Sequence, residues 1–181
     1  MAYNFKNALV RTPSKSISNA ISSIGKKPNF EKVIAEHNDY IMHLECSDIN
    51  VITLDALEDY PDSVFVEDPA ITFNNFCIIL RPGALSRFGE HNVFRNEAKN
   101  IFEEVFEVDN GKIEGGDILR INDRFIIGLS DRTNKEGANK LKKILSHLGA
   151  KVTITNTPNG VLHFKSDCSL LDDETILQTK K

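Results

Sequence analysis

Two stretches of the chain repeat one order of apolar and polar positions, 49 residues apart. The first runs from Asp68 to Leu80 and the second from Asp117 to Leu129. In each, alternating apolar residues, a polar pair and a second apolar run predict a β-hairpin. The expected turn residues are Asn74, Asn75, Asn122 and Asp123.

Apolar residues at helical spacing follow each hairpin, and a third segment of this kind comes earlier in the chain. Helices are expected from Phe30 to about Leu44, from Phe94 to Val105, and from Ala138 to Leu148. Asn29 is a suitable N-cap for the first helix, and Gly149 is a suitable C-cap for the last. Short strands are expected at Ala8–Pro13, Asn50–Asp55, Val105–Asp109, Val152–Thr155 and Val161–Ser166.

The repeating unit is therefore strand, strand, helix, strand. Mixed α/β units of this length, joined head to tail, favour a ring. The 181 residues hold about 3.7 such units, and the last strand signal has no complete unit after it. We expect one α/β domain over residues 1–181, with an incomplete ring and unpaired strand edges.

Composition narrows the class of protein. The chain has 22 basic and 26 acidic residues, which excludes a strongly basic nucleic-acid surface. No apolar run approaches the roughly 18 residues of a membrane span, and the N-terminus lacks the apolar segment of a secretory signal. Cys46, Cys77 and Cys168 are widely spaced, which argues against a disulfide framework or a zinc site and predicts a cytoplasmic location.

The densest group of acids is Asp62, Glu67 and Asp68, which flank an apolar Val-Phe-Val stretch predicted to be a strand. On such a strand Asp62 and Asp68 would share a face. Paired carboxylates bind a planar guanidinium through charge-assisted hydrogen bonds, so these acids indicate a cation pocket. The alternative is that they cap turns around a buried strand.

A second acidic group is Glu114-Gly-Gly-Asp117, in which the glycines would let the backbone approach a ligand or a neighbouring strand closely. Its alternative is a tight turn into a strand. Arg87 and Arg132 follow equivalent strands of two repeats, where they could converge to hold a carboxylate or remain solvated at the surface.

His163 lies in an apolar stretch, either as a core histidine or as a general acid and base. Cys77 is expected in the core, and Cys46 at a helix end. Cys168 is the one cysteine that merits a test as a nucleophile.

Several segments occur together in a characteristic order: Arg11–Pro13, Glu36–Asn38, Pro61–Asp68, Arg81–Gly83, Ser86-Arg87, Glu114–Asp117, Gly128–Ser130, Arg132–Asn134 and Leu162–Ser166. With them the chain resembles the dimethylarginine dimethylaminohydrolases of the guanidino-modifying pentein superfamily, over essentially all of its length. This resemblance implies a pentein-type α/β propeller of five ββαβ blades. Five blades need about 245 residues, so the resemblance also implies that a C-terminal part is missing.

The resemblance implies roles for eight residues. The substrate's guanidinium and amino ends would be held by Asp62, Glu67 and Asp68, and its α-carboxylate by Arg87 and Arg132. Ile17 stands where the family presents a backbone carbonyl. His163 would be the catalytic histidine, with Glu114 as the acid that orients it.

The implied reaction converts an N-methylated arginine to citrulline and an alkylamine through a covalent cysteine intermediate, with no metal or organic cofactor. The family's C-terminal cysteine has no match here, so the chain alone should be inactive. Arginine deiminase, amidinotransferase and a noncatalytic binding module remain alternatives. The expected partner is a small methylated arginine, with no nucleic acid and no membrane, and the sequence leaves a homodimer open.

Overall fold

A computed structural model describes residues 5–22, 25–73 and 75–180. Its helices are α1 (Phe30–Cys46), α2 (Glu90–Ala98) and α3 (Lys135–His147). Its strands are β1 (Asn7–Arg11), β2 (Asn50–Leu54), β3 (Ala70–Phe73), β4 (Phe76–Ile79), β5 (Glu104–Glu107), β6 (Ile118–Ile121), β7 (Arg124–Leu129), β8 (Lys151–Asn156), β9 (Cys168–Leu170) and β10 (Ile176–Gln178). Asn74, an expected turn residue, lies outside the described residues.

The chain divides into two compact units, one ending at Val66 and the other beginning at Glu67. In the first unit, β1 and β2 pair in parallel, and α1 lies between them in sequence. Asn29 caps α1 as expected, since its side chain accepts a hydrogen bond from the backbone N–H of Lys32 at 2.9 Å.

The second unit contains two copies of one three-stranded sheet. In each copy an antiparallel hairpin, β3–β4 or β6–β7, is followed by a helix and a strand that pairs in parallel with the second hairpin strand. Helix α2 makes the crossover from β4 to β5, and α3 makes it from β7 to β8. The predicted ββαβ unit is therefore confirmed.

The core of this unit joins the two copies. Phe73 of β3 and Phe125 of β7 pack edge to face, with ring centroids 5.3 Å apart. Helix α3 buries Ala138, Leu141 and Leu145 against the same cluster. The apolar repeat positions thus form a common core beneath both sheets.

The second helix is shorter than its apolar pattern predicts. It ends at Ala98, whose carbonyl accepts the N–H groups of Ile101 and Phe102 in a closing turn. Val105 lies in β5 and pairs with Cys77 of β4. Pairing with the neighbouring strand overrides the helical spacing, so the prediction of a helix through Val105 was wrong, whereas the strand predicted from Val105 is present as β5.

Two predicted strands are turns. Residues 61–69 form successive turns, so the argument that Asp62 and Asp68 share a strand face was wrong. Residues 161–166 are also not a strand: His163 precedes a 3-10 turn over Phe164–Ser166. The hairpin β9–β10 follows and was not predicted. Across the described residues, no helix combines the length and the apolar character that a membrane crossing needs.

Candidate functional site

Three side chains that are far apart in sequence meet in the second unit. Asp68, Glu114 and His163 each present one polar atom, and these atoms all lie within 4.8 Å of one another. Asp68 precedes β3, Glu114 precedes β6, and His163 follows β8, so the two repeats and the next loop bring them together.

The Glu114–Asp117 turn is where the elements of the site meet. The backbone N–H of Gly116 donates to Asp68 Oδ1 at 3.2 Å, and that of Gly115 donates to the Asp68 carbonyl at 3.2 Å. A Cβ on Gly115 would lie 2.0 Å from the Glu67 carbonyl oxygen, and one on Gly116 would lie 2.7 Å from Cγ of His163. Both positions therefore require glycine, because any side chain would displace an element of the site.

Glu114 is buried, and its Oε1 accepts the backbone N–H groups of Gly83 and Ala84 at 2.7 and 3.1 Å. Arg132 Nη1 lies 3.5 Å from the same oxygen. The second oxygen, Oε2, lies 3.5 Å from His163 Nε2. Backbone hydrogen bonds thus fix this carboxylate between an arginine and the histidine.

Arg87 is buried in a group of acids. Its Nη1 donates to Asp68 Oδ2 at 2.5 Å, while Nε and Nη2 donate to the two oxygens of Glu90 at 2.6 and 2.7 Å. Burial disfavours the charged guanidinium, but the bonds to Glu90 and the charge of Asp68 outweigh it and raise the pKa of Arg87. Arg87 therefore stays charged and holds Asp68 in position.

His163 lies between two carboxylates. Its Nδ1 is 3.5 Å from Asp117 Oδ2, and Asp117 is itself fully buried. The interaction with Asp117 raises the pKa of His163 against the opposing effect of burial, and Asp68 and Glu114 add to it. At neutral pH this favours a protonated imidazole more than the ordinary value does.

Glu67 is more exposed than its neighbours and forms an ion pair with Lys165. Its carboxylate points to solvent beside the acidic cluster, with 63% of the side chain exposed. An exposed pair of this kind contributes little stability, so Glu67 can exchange Lys165 for another cation.

Ile17 and Asp62 belong to the first unit. Ile17 lies buried in a 3-10 turn over Lys15–Asn19, where its carbonyl accepts the N–H of Ala20 at 2.9 Å. Asp62 is also buried, and its Oδ1 accepts the N–H of Ile21 at 3.0 Å. Their expected roles toward the substrate stay predictions.

The three cysteines differ in their surroundings. Cys77 is buried in β4, where burial raises its pKa to about 12, which confirms its expected place in the core. Burial also raises the pKa of Cys168, whose thiol donates to the Phe164 carbonyl. Cys46 is exposed at the end of α1 in the first unit. Neither Cys77 nor Cys168 is therefore activated as a thiolate.

Acids outnumber fixed cations in the site. It contains five carboxylates (Glu67, Asp68, Glu90, Glu114 and Asp117) and three fixed cations (Arg87, Arg132 and Lys165). The cluster of Asp68, Glu114 and His163 has the donor atoms for a cation, either a metal ion or an organic group. Two carboxylates at fixed spacing also suit a planar guanidinium, which they can hydrogen-bond from two sides.

Sequence reasoning missed Glu90 and gave no role to Asp117. Glu90 stands three residues after Arg87, a spacing at which opposite charges interact along a helix start. Asp117 ends the Gly-Gly turn and is one of the repeated aspartates. The sequence signals were present in both cases, but each also fits an ordinary cap or turn.

The fold and this acidic, arginine-flanked site define a guanidino-modifying class of protein. The family model described as Arginine deiminase matches residues 55–160, which is more than half of the chain. The dimethylarginine dimethylaminohydrolase of Pseudomonas aeruginosa is 36% identical over 177 residues, covering 96% of this chain and 69% of its own length. That of Streptomyces coelicolor is 33% identical over 175 residues, with 95% and 67% covered.

A solved structure of the Pseudomonas aeruginosa enzyme, a cysteine-to-serine mutant complexed with citrulline, superposes with a TM-score of 0.91. Its sequence is 35% identical, and the match covers 97% of this chain and 70% of that one. The chain belongs to the dimethylarginine dimethylaminohydrolase family, and the pentein-type α/β fold implied by the resemblance is confirmed.

Proposed function

We propose that this chain binds an N-methylated arginine and supplies the acid–base part of its hydrolysis to citrulline and a methylated amine. The observation that carries the proposal is the convergence of Asp68, Glu114 and His163 within 4.8 Å in a member of this family. Two carboxylates beside a titrating imidazole are what a guanidinium needs for substitution at its central carbon.

Each residue has a proposed task. Asp68 and Glu114 hydrogen-bond the guanidinium and fix its plane, and the exposed carboxylate of Glu67 adds a further acceptor. Glu114 is also the proposed orienting acid of His163, whose Nε2 lies 3.5 Å from Oε2 of Glu114. Arg132, which is partly exposed, binds the α-carboxylate. The expected contact of Arg87 with the same carboxylate stays a prediction, because Arg87 is buried and donates to Asp68 and Glu90. Ile17 and Asp62 of the first unit are proposed contacts for the substrate's amino end.

The reaction proceeds by substitution at the guanidinium carbon. A thiolate forms a C–S bond to this carbon, the bond to the methylated nitrogen breaks, and His163 donates a proton to the departing amine. His163 then takes a proton from water, whose oxygen attacks the same carbon. The C–S bond breaks, which releases citrulline and restores the thiolate.

Neither Cys77 nor Cys168 offers the thiolate in an activated form. Cys77 is sealed in the core, and Cys168 is hydrogen-bonded and made less acidic by burial. We therefore expect this chain to bind substrate without turning it over.

Calorimetric titration with asymmetric N,N-dimethylarginine tests the proposal. We expect saturable one-to-one binding that weakens about tenfold or more in Glu114→Gln, because a buried acceptor of the guanidinium is lost. Asp131→Asn, in an exposed position of the neighbouring loop, is the matched control and should bind as the wild type does. Absence of binding by the folded wild type would contradict the proposal.

Product analysis separates this reaction from the alternatives. Citrulline with dimethylamine from the chain alone would mean that one of its own cysteines is a competent nucleophile. Ammonia from unmethylated arginine would favour a deiminase. If the chain neither binds nor converts any of the arginine analogues, a noncatalytic binding module for a macromolecule would be favoured.

Three other expectations stay proposals. They are a single domain over residues 1–181, a homodimer, and a cytoplasmic location. The location is supported by Cys46, Cys77 and Cys168, which are all free thiols.

A further inference from the structure

The carboxylate of Asp117 has no role in the reaction as described, yet it is the most enclosed acid of the site. Its exposed fraction is 0%. Burying a charge is costly unless it is paired and hydrogen-bonded, so a carboxylate in this position must be satisfied by its surroundings. Its partners therefore indicate its purpose.

Asp117 accepts hydrogen bonds from three residues in two separate parts of the chain. Ser130 Oγ and Thr133 Oγ1 donate to Oδ2 at 2.7 and 2.6 Å, and the backbone N–H of Phe164 donates to Oδ1 at 2.8 Å. Burial opposes ionisation of Asp117, but these bonds and the interaction with His163 outweigh it and lower its pKa. Asp117 is thus an anion at neutral pH.

The hydroxyl groups of Ser130 and Thr133 connect Asp117 to the backbone of two residues that are proposed to contact the substrate. Ser130 Oγ accepts the backbone N–H of Arg132 at 3.0 Å, and Thr133 Oγ1 accepts that of Glu114 at 3.2 Å. Because each hydroxyl donates to Asp117, its lone pairs face these N–H groups. The carboxylate therefore fixes the backbone of both Arg132 and Glu114.

The histidine is positioned by the same carboxylate. The N–H of Phe164, the next residue, is bonded to Oδ1, and Nδ1 of His163 stands 3.5 Å from Oδ2. A closed N–H···O bond is about 2.7–3.2 Å long, so a small ring movement completes the contact. Nε2 then faces Glu114, where the reacting groups would be.

We infer that Asp117 is the positioning residue of the site, which holds the Nδ1–H form of His163 and sets the backbone of Glu114 and Arg132. The expected effect on substrate binding rests on the proposed function, whereas the hydrogen bonds around Asp117 do not depend on it. Asp117 does not touch the substrate: it acts through His163, Ser130 and Thr133.

Nitrogen-15 NMR of the wild-type chain gives the first test, because the two neutral forms of imidazole have distinct ring-nitrogen shifts. We expect the neutral form of His163 to carry its proton on Nδ1. A dominant Nε2–H form would overturn the inference without any variant. The charged groups that face this ring are Asp117, Asp68 and Glu114.

Asp117→Asn gives the second test. Loss of the charge should lower the pKa of His163, remove the preference for Nδ1–H, and weaken dimethylarginine binding about tenfold. Asp131→Asn is the control and should leave all three unchanged. Thr133→Val breaks the hydroxyl relay but keeps the carboxylate, so it should weaken binding and leave the Nδ1–H form in place.

These outcomes separate the inference from the proposed function. A wild type with an Nδ1–H histidine that fails to bind dimethylarginine would contradict the function and leave the positioning role. A folded Asp117→Asn chain with an unchanged histidine pKa and proton position would overturn the positioning role, even if the wild type binds.

Discussion

Arg87 and Glu90 form a two-bond ion pair across the start of α2. Nε of Arg87 donates to one oxygen of Glu90 at 2.6 Å, and Nη2 donates to the other at 2.7 Å. Both side chains are almost wholly buried, and the remaining Nη1 group holds Asp68. The buried Arg87–Glu90 pair therefore fixes the position of the Asp68 carboxylate.

Glu90→Gln should destabilise the chain by about 3 kcal/mol, because Arg87 would keep its buried charge and lose most of its compensation. Asp68 remains as a partner, so the loss should fall at the lower end of values for broken buried pairs. Urea unfolding measures the change. Glu103→Gln, at an exposed position, should stay within about 0.5 kcal/mol of the wild type. If Glu90→Gln lowers the free energy of unfolding by less than about 1 kcal/mol, Asp68 alone is sufficient to hold the guanidinium of Arg87.

Gly116→Ala should displace His163 while the fold remains. The new Cβ would lie 2.7 Å from Cγ and 2.8 Å from Cδ2 of the ring, so the ring must leave its place between Asp117 and Glu114. We expect dimethylarginine binding to weaken about tenfold, which corresponds to about 1.4 kcal/mol. The ring signals of His163 should shift, whereas those of His147, exposed in α3, serve as the internal control and should not. If the His163 signals do not shift, the backbone rather than the ring has moved to accommodate the new Cβ.

The raised pKa of His163 gives stability a defined pH dependence. Folding raises this pKa, so the associated stabilisation is complete below about pH 6.5, the ordinary value, and is lost as the pH rises through the folded value. Urea midpoints measured from pH 6 to pH 9 should therefore fall more steeply in the wild type than in His163→Gln. Parallel profiles in the two proteins would show that the ring gains no proton affinity on folding.

Leu141→Ala should destabilise the second unit by about 2–5 kcal/mol, since a fully buried leucine is lost and a cavity remains. Leu177→Ala is the matched control, because Leu177 is 59% exposed in β10. It should change stability by less than about 0.5 kcal/mol. Similar losses in both would mean that the hairpin β9–β10 is covered in solution.

The repeat in the sequence determined the architecture, because each unit carries its own local signals. Alternation around a polar pair specified both hairpins, and helical spacing with Asn29 and Gly149 at the ends specified α1 and α3. These preferences act over a few residues, so they can be read without the fold. The acids and arginines of the site were also visible as residue types at particular positions.

Long-range contacts decided what those local signals could not. Val105 joins β5 because β4 offers it a partner. The strand expected around His163 gives way to a 3-10 turn whose first residue, Phe164, donates its backbone N–H to Asp117. The pairing of Arg87 with Glu90 depends on where the turn before α2 directs the two side chains. The sequence supplied the chemical groups of the site. The tertiary structure decided which of them touch, because the partners of each carboxylate lie in elements that only folding brings together.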